Sequence, residues 1–422
     1  MISETRRVTF EGWRVVSAAF VLAIFGWGLG FYGPPVFLKV LHERHGWPVA
    51  LITSAVTVHF LVGACSGANM PAFYRRFGMA NVTRACAIAM TVGLLIWGAV
   101  REPWQMFAAG FLTGAGWGGM SAAAINAIVS RWFDRKRPAA LGMAYNGGSV
   151  GGIVFSPLWV VSIDVFGFLN AVTAIAGTMM LTVWFLAGRY FSRAPEQMGL
   201  APDGEVRVEP SRSVDSMDDS RLSGRLLWRN WRFITLSVAM ACGLFAQIGL
   251  IAHLYSLLTP ALGSRNAGLA MALITAMAIA GRTLLGWTMP VSADRRLVAS
   301  AGYVAQVVGS LAFYLAGGET VWLLLSGVIL FGLGFGNATS LPPLIAQVEF
   351  VKNDVTRVVA LVVGIAQGLY AFAPAAFGMI RDYAPASGII SPGAAPLVFI
   401  AAALFQCAAI AALLAGRRPR HV

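Results

Sequence analysis

A series of about twelve apolar runs, each near the length that a helix needs to cross a bilayer, constrains this chain most strongly. A membrane-spanning helix needs about 20 mostly apolar residues. The runs cover residues 13–38, 49–73, 82–100, 104–130, 138–163, 168–191, 231–259, 267–289, 297–316, 320–346, 356–380 and 394–416. Gly or Pro interrupts the second, fourth and tenth runs, which membrane helices tolerate. We therefore expect an all-α membrane protein with twelve transmembrane helices.

The composition supports lipid as the solvent of this chain. Hydrophobic residues make up 58% of it and charged residues only 12%, whereas soluble domains carry about 25% charged residues. In a soluble protein the formal net charge of +13 would indicate a nucleic-acid partner. In a membrane protein such charge collects in loops that are not translocated, so we expect no nucleic acid. The four cysteines lie in apolar runs without metal-ligand spacing, and we expect no metal or cofactor.

One polar segment, residues 192–229, separates the runs into two groups of six. It contains three prolines and an acidic patch around Asp215. The sequence thus predicts an N-terminal six-helix half (1–191), a cytoplasmic linker (192–229) and a C-terminal six-helix half (230–422). The end of the linker interleaves Arg with Leu and Trp, which fits either an interfacial amphipathic helix or a charged flank of the seventh run.

The distribution of basic residues predicts the orientation. If both termini are cytoplasmic, 25 of the 31 Lys and Arg residues fall in inside segments and 5 in outside segments. Cytoplasmic loops are enriched in Lys and Arg, so an even number of spans with both ends inside is favoured. Arg greatly outnumbers Lys, as in GC-rich bacterial genomes. We expect a multi-pass protein of the bacterial inner (plasma) membrane.

Charged residues within the runs point to the chemistry. Every Asp and Glu lies in a loop or at the end of a run, Asp164 being nearest to an exception; this argues against cationic substrates and carboxylate proton relays. Arg282, by contrast, lies in the apolar stretch ITAMAIAGRTLLGW, where it costs about 2.5–3.5 kcal/mol to insert. It either extends to an interface or bonds backbone carbonyls, or it faces a cavity and binds a carboxylate through its planar fork.

Other polar residues within the runs are candidates for a cavity wall. His253 is either hydrogen-bonded within the bundle or a substrate or proton site. Asn126, Tyr145 and Gln367 each serve as contacts between helices, or together as the few polar groups of a small-solute cavity. The Gly-rich run 146–152 lacks the Lys and Ser/Thr of a phosphate loop and indicates close helix packing. No nucleophile triad is present, so we expect no enzyme.

Two groups of six spans around a cytoplasmic linker resemble the major facilitator superfamily, in which two halves move about a midplane site. Within it, WFDRKRPAALGMAYNGGSVG (132–151) resembles the loop and fifth helix of monocarboxylate transporters. EGWRVV (11–16) is similar to the motif that opens their first helix. RAPEQMGLAPDG (193–204) is similar to the start of the linker in the oxalate–formate exchangers.

The resemblance implies a transporter of small organic anions, in particular monocarboxylates, that works as a monomer by alternating access. Arg282 falls at the place of the eighth-helix arginine that holds the carboxylate in that family. Ala278 replaces the Asp of proton-coupled members, and the eleventh run offers Gln367 and Tyr370 instead of the exchangers' Lys. A single cavity cation then implies a monoanion. Coupling by exchange with a counter-anion, by facilitated diffusion or by proton symport through His253 stays open.

Two other functions fit the sequence. The Trp- and Phe-rich spans are compatible with an exporter of larger amphipathic compounds. A non-transporting membrane receptor on the same fold would bind a ligand without flux.

Overall fold

The computed structural model describes residues 10–198, 200–204, 224–290, 293–383 and 394–417, and their secondary structure is helical. The helices are α1 Gly12–Gly30, α2 Gly33–His45, α3 Val49–Phe77, α4 Met79–Ala99, α5 Pro103–Gly118, α6 Ala122–Ser130, α7 Arg137–Phe166, α8 Phe168–Leu186, α9 Gly224–Leu227, α10 Trp231–Thr288, α11 Arg295–Ala316, α12 Val321–Phe335, α13 Asn337–Glu349, α14 Lys352–Tyr370, α15 Ala373–Asp382 and α16 Pro396–Ala415.

Ten helical stretches among the described residues are long and apolar enough to cross a membrane, compared with the twelve apolar runs. One stretch, Trp231–Leu285, contains two of the expected runs. Gly263 interrupts its helical backbone with φ 75° and ψ 161°, a conformation that residues with a Cβ rarely adopt. α10 therefore consists of two helices, 231–262 and 264–288. The run 104–130 forms α5 and α6, neither of which is long enough alone.

Breaks within the apolar runs differ in part from those expected. The fourth run is broken between α5 and α6, and the tenth is broken at Gly336, as expected. In the second run α3 continues through Pro71, in agreement with the expectation that a membrane helix tolerates this residue. The first run breaks between α1 and α2, which the sequence analysis did not anticipate.

Close glycine contacts hold the helices together. α1 packs extensively on α7, and α3 on α5. A Cβ placed on Gly147 would lie 2.1 Å from the Phe20 carbonyl oxygen, and one on Gly151 would lie 2.5 Å from that of Ile24. Only glycine permits such an approach of two helix backbones. The interpretation of the Gly-rich run as a packing surface is therefore confirmed.

The first part of the linker packs against the loop before α7. The Asp203 carboxylate accepts hydrogen bonds from the backbone N–H groups of residues 134, 135 and 136, at 3.2, 2.7 and 3.1 Å. Slight burial raises the pKa of Asp203, but these bonds outweigh it and the net shift of the pKa is downward. The expected amphipathic segment is described only from residue 224, where α9 forms a single turn; residues 205–223 lie outside the described part of the chain.

A buried arginine joins the linker-side ends of several helices in the C-terminal part. Arg296 is 2% exposed, and its Nε and Nη2 donate to the two carboxylate oxygens of Glu349 at 2.6 and 2.8 Å. Nη1 also donates to Thr235 Oγ1 at 3.1 Å, and Nη2 donates to the Arg232 carbonyl at 3.0 Å. The side chain therefore links α11, α13 and the start of α10.

Candidate substrate cavity

A cavity of 2130 Å³ lies between the helices of the two chain segments. Residues from α1, α3, α4, α5, α6 and α7 form one side, and residues from α10, α12, α13 and α14 form the other. Its wide end is bordered by Gly78, Arg131, Ser192 and Gln347, at the helix ends near the linker. We call this end the mouth.

The opposite end of the cavity is closed by direct contacts between helices. A Cβ on Gly378 of α15 would lie 2.4 Å from Thr53 Oγ1 of α3. The backbone N–H of Ala50 donates to the Asp382 carboxylate at 2.8 Å. The described conformation is therefore open on the linker side and closed on the other.

The charged residues that line the described part of the cavity wall are all positive. Among the described residues that line it, five are arginines and none is Asp, Glu or His. The five are Arg75, Arg84, Arg131, Arg137 and Arg282. The expectation of a single cavity cation is wrong, because the fold brings four arginines from α3, α4, α7 and the loop after α6 to the mouth. Walls of one sign concentrate solutes of the opposite sign, so the cavity favours anions.

Arg282 lies deeper than the other four arginines. It is six residues before the end of α10 at Thr288, which is about 9 Å along the helix axis. Because side chains tilt toward the N-terminus of their helix, its guanidinium extends away from the mouth. Nε donates to the Gly336 carbonyl at 3.1 Å. No carboxylate of the described residues pairs with Arg282, and neither Nη atom has a hydrogen-bond partner among them.

Three glycines fix the position of Arg282. A Cβ on Gly281 would lie 2.1 Å from the Leu333 carbonyl oxygen, and one on Gly332 would lie 2.8 Å from that of Ile274. A Cβ on Gly336 would lie 2.1 Å from the Ala278 carbonyl oxygen. The helix 264–288 is thus in backbone contact with α12. Gly336, whose carbonyl accepts the hydrogen bond from Arg282, belongs to this contact.

Gly336→Ala is expected to lower the free energy of unfolding by about 1–3 kcal/mol, the usual cost of overpacking. The added methyl group collides with the Ala278 backbone, which cannot move without the helix. Thermal unfolding of the purified protein in detergent measures the effect. Gly364→Ala is the matched control, because nothing lies within 4 Å of a Cβ there. Equal unfolding temperatures for the two variants would contradict the packing argument.

The structure brings three of the other predicted site residues to the cavity. Asn126, Tyr145 and Gln367 all line it. Asn126 Oδ1 accepts from Arg137 Nη2 at 3.1 Å, and the Tyr145 hydroxyl donates to the Ala122 carbonyl at 3.1 Å. Asn126 therefore orients one of the mouth arginines.

His253 is not among the described residues that line the cavity. It is fully buried between α10 and α15, and its Nε2 lies 3.0 Å from the Pro374 carbonyl oxygen. This position matches the alternative of a histidine hydrogen-bonded within the bundle. Its role in substrate or proton binding stays a prediction without a cavity contact to support it.

Sequence reasoning missed several aromatic residues of the wall. Trp27, Phe31, Tyr32 and Trp117 line the cavity. The Tyr32 hydroxyl accepts a hydrogen bond from Thr275 Oγ1 of α10 at 3.2 Å. An aromatic residue in an apolar run carries no sign of which helix face it occupies, so the sequence held no signal for this set.

The helical fold and the water-accessible central cavity define a polytopic membrane transport protein. The chain belongs to the Major Facilitator Superfamily, whose family model matches residues 18–378. An MFS-type transporter, hasB of Aspergillus fumigatus, is 23% identical over 342 residues, which cover 77% of this chain and 71% of that protein. The superfamily expected from the sequence is thus confirmed.

Solved structures share the fold. The nucleoside transporter NupG superimposes with a TM-score of 0.73 at 13% identity, covering 96% of this chain and 100% of NupG. A D-xylose–proton symporter gives a TM-score of 0.72 at 12% identity, covering 96% and 97% of the two chains. At these identities the likeness shows the fold alone, so the monocarboxylate branch stays a prediction.

Proposed function

We propose that this protein is a secondary transporter of small organic anions, in particular monocarboxylates, which it moves by alternating access. The observation that carries this proposal is the positive charge of the cavity wall, since the described lining residues include five arginines and no acid. Burying an unpaired arginine is costly. An anionic substrate offsets that cost at Arg282 by supplying the missing partner.

Arg282 is the proposed anchor for the carboxylate. Its Nε is occupied by the Gly336 carbonyl, while both Nη atoms remain available. Two parallel N–H donors match the two oxygens of a carboxylate, and such charge-assisted bonds are about twice as strong as neutral ones. The mouth arginines attract the anion, and Asn126, Tyr145 and Gln367 supply further polar contacts along the wall.

The proposed architecture has twelve transmembrane helices in two six-helix halves, 1–191 and 230–422, joined by the linker 192–229. The break at Gly263 divides one of the ten stretches into two helices, and α5 and α6 together fill the run 104–130, which the ten stretches do not include. Both observations support a count of twelve. We place the linker and both termini in the cytoplasm of a bacterium, with the protein a monomer of the inner membrane. The cavity then faces inward.

The cavity wall favours exchange or facilitated diffusion over proton symport. No carboxylate or histidine of the described residues lines it, and arginine does not release its proton in proteins. A symporter through His253 needs that side chain to reach the cavity in another conformation. A counter-anion at Arg282 needs no further titratable group.

Uptake by proteoliposomes tests the anion proposal. We expect labelled lactate to enter protein-containing vesicles faster than protein-free vesicles, whereas lactamide, its neutral near-isostere, is not transported. Internal unlabelled lactate should accelerate entry if the protein exchanges anions, and a pH gradient should accelerate it if protons are coupled. Equal protein-dependent uptake of lactate and lactamide would refute selection by charge.

A second candidate function is export of larger amphipathic anions. The cavity of 2130 Å³ exceeds the roughly 300–1,000 Å³ typical of small-molecule sites. Expression in a drug-sensitised bacterium separates the two functions. Increased resistance to amphipathic acids without uptake of short carboxylates favours the exporter.

A further inference from the structure

A connected set of aromatic rings lines the cavity that contains Arg282. The centroids of Phe31 and Tyr32 are 5.0 Å apart, and Phe31 and Phe60 are 6.2 Å apart. Phe60 in turn lies 5.3 Å from Trp117 and 6.1 Å from Tyr370. Apart from Phe60, all of these rings line the cavity. The set therefore runs from α1 through α3 and α5 to α14, across both chain segments.

Two aromatic rings, those of Trp27 and Tyr370, are in contact with the cavity as well as with the helices around them. Trp27 lies against the helix backbone of α7, since a Cβ on Gly148 would be 2.8 Å from its Cδ2. Tyr370, on the other side, is only partly buried. Both line the cavity together with Arg282. Tyr32 lies about one turn further along α7, because a Cβ on Gly152 would be 2.5 Å from its Cζ. Aromatic surface thus lines the same cavity as the guanidinium.

We propose that the substrate is an aromatic carboxylate, with its carboxylate at Arg282 and its ring among Trp27, Tyr32 and Tyr370. The inference rests on the proposed function and adds the class of substrate. Tyr32 connects the two parts of the site, because it packs on Phe31 and its hydroxyl accepts a hydrogen bond at 3.2 Å from Thr275 Oγ1, about two helical turns before Arg282 on α10.

Aromatic surroundings discriminate a planar ring from an aliphatic group of equal size. Ring pairs attract beyond simple area burial when their centroids are about 4.5–7 Å apart, in stacked or edge-to-face geometry. The rings of the set already lie at such separations from one another. The aromatic ring of a substrate makes several such contacts with them, whereas a saturated ring gains only the burial of its apolar surface. The charged fork of Arg282 is satisfied equally by either carboxylate, so it does not discriminate between them.

Benzoate and cyclohexanecarboxylate form the matched pair of probes, because both place one carboxylate on a six-membered ring. We expect proteoliposomes to take up benzoate with a KM about tenfold below that of cyclohexanecarboxylate. Tyr370→Leu should reduce this ratio to about twofold. Tyr370→Phe should keep the ratio, since the ring remains. If Tyr370→Leu unfolds at a markedly lower temperature than the parent, Trp27→Leu with Trp27→Phe replaces the pair.

The outcomes separate this inference from the function on which it rests. Uptake of both acids with equal KM, lost in Arg282→Ala, overturns the aromatic substrate and leaves the anion transporter intact. No uptake of either acid or of lactate by folded protein overturns both. A tenfold preference that survives in the leucine variants shows that the ring is recognised elsewhere and overturns the assigned site.

Discussion

Arg282→Ala is expected to lower the rate of carboxylate uptake at limiting substrate about a hundredfold, because it removes the guanidinium on which the anion depends. Two charge-assisted hydrogen bonds of about 1.5 kcal/mol each correspond to this factor. Among the described lining residues no other cation lies at that depth to replace them, because the remaining cavity arginines border the mouth. Uptake into proteoliposomes at a substrate concentration below KM measures the loss.

Arg282→Lys separates charge from geometry. Lysine keeps a positive charge but not the planar fork, so we expect a loss of about tenfold rather than a hundredfold. Among the described residues, arginine donates only through Nε to the Gly336 carbonyl, and the alanine variant loses that bond. Both variants should therefore fold, which their elution and thermal unfolding will show.

Arg75→Ala provides the control at the mouth. Arg75 is exposed at the end of α3 and lines the wide part of the cavity. Its contribution is long-range attraction, which salt screens with a Debye length of about 10 Å at 0.1 M. A reduction of about two- to threefold that disappears at high salt is expected. If the Arg282→Ala protein is as abundant as the parent and takes up carboxylate at the same rate, Arg282 does not bind the substrate.

The sequence predicted the helices well, because length and apolarity are local properties. The runs recur as helices with ends displaced by a few residues, as in α7 at Arg137–Phe166 compared with 138–163. The break between α1 and α2 at Phe31 and Tyr32 directly precedes Gly33, Pro34 and Pro35, a Gly–Pro signal in the sequence that the prediction of one continuous helix did not use.

The candidate site was predictable only where a residue was anomalous in its own run. Arg282 stood out because its neighbours are apolar. Arg131 and Arg137 were assigned only to a cytoplasmic loop, although they also border the cavity. His253 had two alternative roles on the sequence, and only its three-dimensional position, with Nε2 next to the Pro374 carbonyl of α15, distinguishes them. Which face of a helix meets the cavity is a tertiary property.

The buried pair of Arg296 and Glu349 gives the largest expected effect on stability. Arg296→Ala is expected to lower the free energy of unfolding by about 3–5 kcal/mol, because it leaves a carboxylate that is only 14% exposed without its partner. Thermal or denaturant unfolding of the purified protein measures the loss. Arg417→Ala is the matched control at the same end of the bundle: its pair with Asp294 is 36% and 30% exposed, and such pairs contribute about 0–1 kcal/mol.

A double variant shows whether the ion pair itself stabilises the bundle or whether the loss in the single variant comes from leaving one buried charge without a partner. Arg296→Leu combined with Glu349→Leu removes both charges from the contact among α10, α11 and α13. Since apolar replacement of a buried pair is often neutral, we expect the double variant to be more stable than Arg296→Ala. Thr235 and the Arg232 carbonyl also lose a donor there, so recovery should be incomplete. A double variant as unstable as the sum of both single variants would show that the two side chains stabilise the bundle independently.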